Sequence, residues 1–289
     1  MSFSDDLKKV GRTIFNQFIK ETLKKIFSPK PDKSEGKKEE NSKEPNFPKS
    51  HPWRMCPIGQ HWVRTHPLTI PPSDKGPKRT TTRHGHCRIN SGRSEFYTAD
   101  ELREIAKQHF DKLIQDSYTM PVPDSLSFPN GNAYDELIGG WTKFWNETLK
   151  PKNPLTPDFV KALIATESSF RVPPDVKSKD GSARGLIQIT ENTRKILQDP
   201  KGELRNHLIE MTIEESREPV INIGGGIRWL HHKKYLAEHR LKREITWEEG
   251  AAEYKGILQA LGKDKKSDEI MTKLRGYHKR LKDQRAQKK

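Results

Sequence analysis

Apolar residues recur at intervals of three and four from about residue 133 onward, and this spacing constrains the fold more than any other feature. Such spacing puts the apolar side chains on one face of an α-helix, and that face must be buried. In residues 133–149 the face is formed by Tyr134, Leu137, Ile138, Trp141, Trp145 and Leu149. The sequence therefore predicts a mainly α domain in this part of the chain.

One of these predicted helices has an acid on its apolar face. Pro157 fits the first helical turn, Val160, Leu163 and Ile164 follow at helical spacing, and the next position of the same face is Glu167. An acid there usually reaches solvent or pairs with an arginine. Burial among apolar neighbours instead favours the protonated form of a carboxyl group. A general acid that cleaves a glycosidic bond needs that form.

Two glycine-bearing segments accompany this helix. Residues 178–190 predict a loop in which Gln188 stands among packing residues, and a buried amide there must find hydrogen-bond partners. Sugar acetamido or hydroxyl groups would supply them, and so would nearby backbone. Residues 224–226 are three consecutive glycines in a predicted helix, which indicate the close approach of another backbone or of a ligand.

Four short segments follow one another in a fixed order across residues 156–262: ALIATESSF, ARGLIQIT, NIGGGIRWL and AAEYKG. Their order and intervals resemble those of the SLT-type soluble lytic transglycosylases, lysozyme-like enzymes that cut bacterial peptidoglycan. The resemblance implies a lysozyme-like helical catalytic domain over residues 121–262. It says nothing about residues 1–93.

The resemblance also implies roles for individual residues. Glu167 matches the catalytic acid/base of the family, and Tyr254 matches the tyrosine whose hydroxyl supports that glutamate and the intermediate. Ser168 forms the family's E-S pair with Glu167, and Gln188 matches the glutamine that lines the sugar cleft. Asn222 matches the asparagine of the N-I pair, counted among the substrate-binding candidates although a structural role is expected.

Three positions depart from the family pattern. Ile187 replaces the usual methionine, which is a mild change in packing. Glu191 stands near the edge of the expected site, where the family commonly has a proline. Lys255 replaces the asparagine that follows the tyrosine, and its positive charge predicts a contact with a carboxylate of the substrate.

The chemistry implied by the resemblance needs one carboxyl group and no cofactor. Glu167 would protonate the oxygen between N-acetylmuramic acid and N-acetylglucosamine, the substrate's acetamido group would assist, and a 1,6-anhydro ring would close. The competing reaction is hydrolysis, as in goose-type lysozymes. Hydrolysis would require a base that positions water, and Asp180 or Glu191 are the candidates.

Residues 51–93 predict a small β module that is rich in cysteine and histidine. Its candidate metal ligands are Cys56, His61, His66, His84, His86 and Cys87. A structural zinc ion, a Cys56–Cys87 disulfide formed after export and unrelated side chains of a strand pair are equally compatible with this spacing. Trp53 and Trp62 stand beside arginines and predict a surface that stacks on sugars or docks a partner.

The remaining segments carry little that can form a core. Hydrophobic residues make up 31% of the chain and charged residues 32%, so some segments are expected to stay unpacked. Residues 1–27 predict an amphipathic helix that packs on the protein's own body or contacts a membrane surface or secretion apparatus. The other predicted segments are a flexible linker at 28–50, a connecting helix at 94–120 and a basic tail at 263–289.

The formal net charge of +15 predicts attraction to polyanions, either peptidoglycan or nucleic acid. A basic, zinc-containing nucleic-acid-binding protein is the alternative from another class. It leaves the four segments unexplained, so no nucleic-acid partner is expected. The first 18 residues lack the apolar core of a secretory signal. We therefore expect peptidoglycan strands as the partner, reached in the periplasm or cell wall through a specialised secretion system.

Overall fold

The described part of the chain contains seven α-helices and four small β-sheets, which confirms the prediction of a mainly α fold. About 49% of the described residues are helical. This computed structural model describes residues 53–74, 76–90, 95–113, 119–172, 175–178 and 181–287. The predicted amphipathic helix at 1–27 and the predicted linker at 28–50 lie outside these ranges.

The helices follow the apolar periodicity of the sequence. They are α1 (Ala99–His109), α2 (Asp135–Leu149), α3 (Pro157–Glu167), α4 (Glu191–Gln198), α5 (Pro219–Leu241), α6 (Trp247–Tyr254) and α7 (Lys265–Gln287). Threonine side chains cap four helix N-termini, because a hydroxyl oxygen accepts a hydrogen bond from a backbone N–H that has no partner within the helix. These caps are Thr98, Thr156, Thr190 and Thr246.

The strands are short and form small separate sheets. The antiparallel pairs are β1 (Gln60–Val63) with β4 (His86–Ile89), and β2 (His66–Ile70) with β3 (Arg79–Arg83). The parallel pair is β5 (Phe96–Thr98) with β9 (Leu208–Glu210). The three-stranded antiparallel sheet is β6 (Val176–Ser178), β7 (Gly181–Arg184) and β8 (Ile189–Thr190), and the turn between β7 and β8 carries Gln188.

Helix α5 is buried along most of its length and lies against α2 and α6. Its glycines allow these contacts. A Cβ atom on Gly226 would come within 2.0 Å of Cγ2 of Ile187, and one on Gly224 within 2.9 Å of the Trp141 ring. The approach is close, but in both cases the neighbour is a packed side chain of the protein itself and not the backbone or ligand that the sequence suggested.

The segment that precedes the helices shares their core. Trp53 is 8% exposed and packs against Phe110 and Phe144. Arg54 forms an ion pair of 2.8 Å with Glu101 on α1, and both side chains are fully buried. The stretch predicted as a separate module at 51–93 is therefore joined to α1 and α2 by a common core.

The expectation of a basic tail at 263–289 is wrong over residues 265–287, which form α7 and pack on α3. Met271, Leu274 and Leu281 are fully buried on one face of this helix. Ion pairs of 2.6 Å between Arg280 and Asp124 and of 2.5 Å between Arg285 and Asp158 add to the attachment. The apolar face of α7 is narrow, because most residues between its apolar positions are charged or polar. No helix within the described ranges is long and apolar enough to cross a lipid bilayer.

Candidate active site

Glu167 is the last residue of α3, and its side chain is 14% exposed. All residues of this helix from Asp158 to Ala165 are buried. Directly after it, Ser169 and Phe170 both have left-handed backbone conformations, with φ of 53° and 58°. Non-glycine residues adopt this conformation at a cost of about 1 kcal/mol each, and the fully buried Phe170 ring holds the turn in place. The carboxyl group is therefore fixed at the C-terminal end of a buried helix.

Lys255 forms an ion pair with this carboxyl group, because its Nζ donates a hydrogen bond to Oε1 of Glu167. The lysine side chain is only 9% exposed and extends from the residue that ends α6. This ion pair holds the end of α6 against the end of α3.

Tyr254 lies next to this pair and is half-buried. Its hydroxyl donates a hydrogen bond of 2.5 Å to the carbonyl oxygen of Ile187. Burial raises the pKa of the Tyr254 hydroxyl well above its ordinary value, and the negative charge of Glu167 raises it further. The hydroxyl therefore remains protonated and ties the end of α6 to the turn between β7 and β8.

Gln188 lies on that turn, half-buried, with a left-handed φ of 55°. Its side-chain Nε2 donates a hydrogen bond of 2.8 Å to the carbonyl oxygen of Gly185. Part of its amide is thus satisfied by nearby backbone, as one of the two sequence interpretations expected. A strained backbone of this kind is often found at functional sites.

Asn222 is fully buried and supports the same turn from α5. Its Oδ1 accepts from the N–H of Ile187 at 2.9 Å, and its Nδ2 donates to the carbonyl oxygens of Arg184 at 2.9 Å and Ser216 at 2.7 Å. A Cβ atom on Gly185 would lie 2.3 Å from Cγ of Asn222, so only glycine fits there. Asn222 thus holds the turn through its amide group, and its role in substrate binding stays a prediction.

Glu191 is the first residue of α4 and is held by two arginines. Its carboxylate accepts hydrogen bonds from Arg194 at 2.8 Å and from Arg184 at 3.0 Å. The bond from Arg194, aided by the charges of both arginines, lowers the pKa of the Glu191 carboxyl group. A carboxylate paired in this way is a weak proton acceptor. The other candidate base, Asp180, lies outside the described residues.

Ser168 follows Glu167 and closes α3, since its backbone N–H donates to the carbonyl oxygen of Ile164 at 3.0 Å. Its hydroxyl has a weak bond of 3.4 Å to the same oxygen. The structure therefore brings Glu167, Ser168, Tyr254 and Lys255 together at the meeting point of α3 and α6, with the Gln188 turn attached through Tyr254.

The cysteines and histidines do not converge on one point. Cys56 and Cys87 form a disulfide bond, one of the three alternatives that the spacing left open. His61 bonds to Asn90 at 2.7 Å through Nδ1, and His66 and His86 bond to backbone carbonyl oxygens at 3.0 Å. In the described ranges no group of three or more histidine, cysteine or acidic residues is arranged to hold a metal ion. The zinc site stays a prediction, and this geometry favours the disulfide.

The two tryptophans of this segment have different surroundings. Trp53 belongs to the core, so the prediction that it forms a sugar-stacking or docking surface is wrong. The ring of Trp62 covers Gly85, at which a Cβ atom would come within 2.2 Å of the indole. Trp62 is half-buried against its own strand pair.

Residues 145–273 match the family model of the transglycosylase SLT domain. The chain contains an SLT-type transglycosylase domain. The matched range runs from the end of α2 into α7 and includes every residue of the Glu167 cluster. The SLT domain supports lytic transglycosylase-type activity on peptidoglycan, and hence a role in the extracellular or periplasmic space. No curated protein and no solved structure matches the chain.

The sequence reasoning did not single out Arg184, which organises one border of the SLT site. Its guanidinium donates to Asp175 at 2.8 Å and to Glu191 at 3.0 Å. Arg217 binds the same Asp175 carboxylate at 2.9 Å. The only signal in the sequence is the position of Arg184 next to Gly185 in the ARGLIQIT segment, because its partners are set by strand pairing.

Proposed function

We propose that this chain is a lytic transglycosylase that cleaves the β-1,4 bond between N-acetylmuramic acid and N-acetylglucosamine and leaves a 1,6-anhydromuramyl end. One observation carries the proposal: within the matched domain, the carboxyl group of Glu167 lies at the end of a buried helix, beside Tyr254 and Lys255. This arrangement provides one acid/base, as the non-hydrolytic reaction requires.

In the first step, protonated Glu167 gives its proton to the glycosidic oxygen, and the bond to the anomeric carbon breaks. The substrate's own acetamido oxygen meets the developing positive charge. Glu167 becomes a carboxylate in this step, and the ammonium group of Lys255 is placed to stabilise that charge.

In the second step, the Glu167 carboxylate accepts the proton of the 6-hydroxyl group of the same muramic acid. That hydroxyl oxygen attacks the anomeric carbon and closes the anhydro ring, so no water is consumed. Tyr254 acts as a positioning residue. Its bond to Ile187 fixes the Gln188 turn relative to Glu167, and its neutral hydroxyl adds no competing charge.

The state of Glu191 supports this reaction over hydrolysis. A hydrolase needs a second group that removes a proton from water, and Glu191 is engaged by Arg184 and Arg194. Hydrolysis at the same bond is therefore the second candidate, and the products distinguish the two.

Mass analysis of fragments released from purified peptidoglycan tests the proposal. The wild-type protein should release fragments that end in 1,6-anhydromuramic acid, each lighter by one water than a hydrolysis product. Glu167→Gln should abolish this release, whereas Glu214→Gln, which changes an 80% exposed glutamate, should not. Reducing-end fragments would identify a hydrolase. Equal release by the Glu167 variant would remove that residue from the mechanism.

We also propose that the protein acts in the periplasm or cell wall after delivery by a specialised secretion system, as a secretion effector that degrades the wall. Residues 1–27 are the candidate contact for a secretion apparatus or a membrane surface. The net charge of +15 supports retention on an anionic wall.

A further inference from the structure

The strongest unexplained feature of the site is the lysine at position 255. The SLT-type transglycosylases that the sequence resembles have asparagine at this position. In this chain the Lys255 side chain, only 9% exposed, forms an ion pair with the proposed acid/base Glu167. The pair joins the end of α6 to the end of α3 across 88 residues of sequence. The lysine is thus in direct contact with the group that must carry the reacting proton.

The ion pair and the acid step need different protonation states of Glu167. An ammonium group pairs with the carboxylate, but the first step of the reaction needs the neutral acid. When Glu167 takes up a proton, Lys255 loses its counter-charge while it has little contact with water, and an unpaired charge in such a place is costly. A second anion near Nζ would remove this cost.

The substrate can supply that anion. Peptidoglycan carries carboxylates on its stem peptides, and a muramic acid without a peptide carries one on its lactyl group. A carboxylate that reached Lys255 would form a charge-assisted hydrogen bond in place of the one from Glu167. Glu167 could then hold a proton from solvent while the lysine stays paired.

We propose that Lys255 is a specificity-determining residue that selects glycan strands with a free carboxylate beside the scissile bond. Binding of that carboxylate to Nζ replaces the ion pair with Glu167. Glu167 can then take up the proton that the first step of the reaction requires. This inference rests on the proposed function. The shared chemistry is a carboxylate, and its source is either the stem peptide or the lactyl group.

The test compares four substrates: intact peptidoglycan and strands freed of peptide by an amidase, each with its carboxylates free or converted to methylamides. For the wild-type protein we expect kcat/KM to fall about tenfold or more when the carboxylates are blocked, as for the loss of one charge-assisted bond. A fall only in intact peptidoglycan assigns the stem peptide, and a fall only in the peptide-free strands assigns the lactyl group.

Three variants separate this role from a structural one. Lys255→Gln should cleave free and blocked substrates at nearly equal rates, and Lys255→Arg should restore the preference. Lys234→Gln is the matched control, since Lys234 is also 9% exposed and paired, with Glu238 on α5, and it should keep the wild-type preference. Thermal unfolding of each variant checks that it is folded.

Equal cleavage of free and blocked substrates by the wild-type protein would overturn the proposal for Lys255 and leave the proposed function standing. A Lys255→Gln variant that still prefers free carboxylates would overturn it as well. The failure of the proposed function looks different: no substrate would yield anhydro fragments, with or without Lys255.

Discussion

The hydroxyl of Tyr254 donates a hydrogen bond of 2.5 Å to the carbonyl oxygen of Ile187, and this bond joins α6 to the turn that carries Gln188. Asn222 of α5 holds the same turn through a second, buried hydrogen bond. Two polar contacts from different helices thus fix a turn that contains a left-handed glutamine. The position of Gln188 relative to Glu167 depends on both.

Tyr254→Phe should lower the free energy of unfolding by about 1–3 kcal/mol, because the Ile187 carbonyl loses its buried donor. The rate of peptidoglycan cleavage should fall by more than the reduced fraction of folded protein accounts for, since the Gln188 turn is no longer fixed. Urea unfolding and fragment release at the same pH measure the two effects. Tyr235→Phe, at a tyrosine 49% exposed on α5, is the control and should change neither. Unchanged activity of the Tyr254 variant would contradict the positioning role.

Glu191→Gln should keep the anhydro products and reduce cleavage by no more than about twofold, because Glu191 is proposed to support structure and not to act as a base. The variant should be less stable at pH 7. The pKa of Glu191 is lowered in the folded state, chiefly by the hydrogen bond from Arg194. The Glu191 carboxylate therefore adds to the free energy of unfolding above the unfolded pKa of about 4.3. This stabilisation is lost as the pH falls through the lower pKa of the folded state.

Unfolding of the Glu191 variant and of the wild-type protein at pH 7 and at pH 3 measures this difference, which should shrink at the lower pH. Asn192→Ala, at an exposed neighbour on α4, controls for changes in the helix itself. Loss of all cleavage by Glu191→Gln would instead support a role for this carboxylate in the reaction.

His231→Phe should make the protein less sensitive to acid. His231 is buried on α5 against Trp247, and burial, with the charges of Arg228 and Lys234, lowers its pKa from 6.5 to about 3. In the unfolded chain His231 binds a proton below about pH 6.5, but in the folded chain it binds one only below about pH 3. The free energy of unfolding of the wild-type protein therefore falls as the pH decreases from 6.5 to 3. At pH 4.5 the loss from this residue should be on the order of 1–3 kcal/mol.

Urea unfolding at pH 7 and pH 4.5 checks this prediction, with His239→Phe on the exposed side of α5 as the control. The His231 variant should show a smaller difference between the two pH values than the control. An equal difference in both would mean that other groups set the acid sensitivity.

Cys56→Ser combined with Cys87→Ser should lower the free energy of unfolding by about 4 kcal/mol, because the disulfide closes a loop between residues 31 apart. Reductant should have the same effect on the wild-type protein, and a zinc chelator should have none. Thiol counting and thermal unfolding with each reagent distinguish the alternatives. A protein destabilised by the chelator but not by the reductant would support the zinc site.

The features that the sequence predicts well are local. The caps at Thr156 and Thr246 depend on residues within one helical turn, so they can be recognised without the fold. The wide apolar face of α2 is also largely predictable, since Ile138, Trp141 and Trp145 are fully buried as expected, although the equally buried Phe144 is missing from the predicted face. By contrast, the face of α7 has three fully buried apolar residues among many charges, and a pattern that sparse resembles a solvated tail.

The features that the sequence predicts poorly depend on contacts between distant segments of the chain. The sequence predicts that Lys255 contacts a carboxylate of the substrate, but only the contact between the end of α6 and the end of α3 shows that it pairs with Glu167 in the fold. It indicates a close approach at Gly226, but the fold decides that the neighbour is Ile187. A spacing pattern identifies which face of a helix is buried and leaves its neighbour unspecified.

The left-handed pair Ser169 and Phe170 limits how the length of this part of the chain can change over evolution. An α-helix turns by about 100° for each residue, so a single deletion between Pro157 and Phe170 would rotate the Glu167 carboxyl group away from Tyr254 while the buried phenylalanine kept its place. We therefore expect related chains to vary in length before Pro157 or after Phe170 and to keep the interval between them constant.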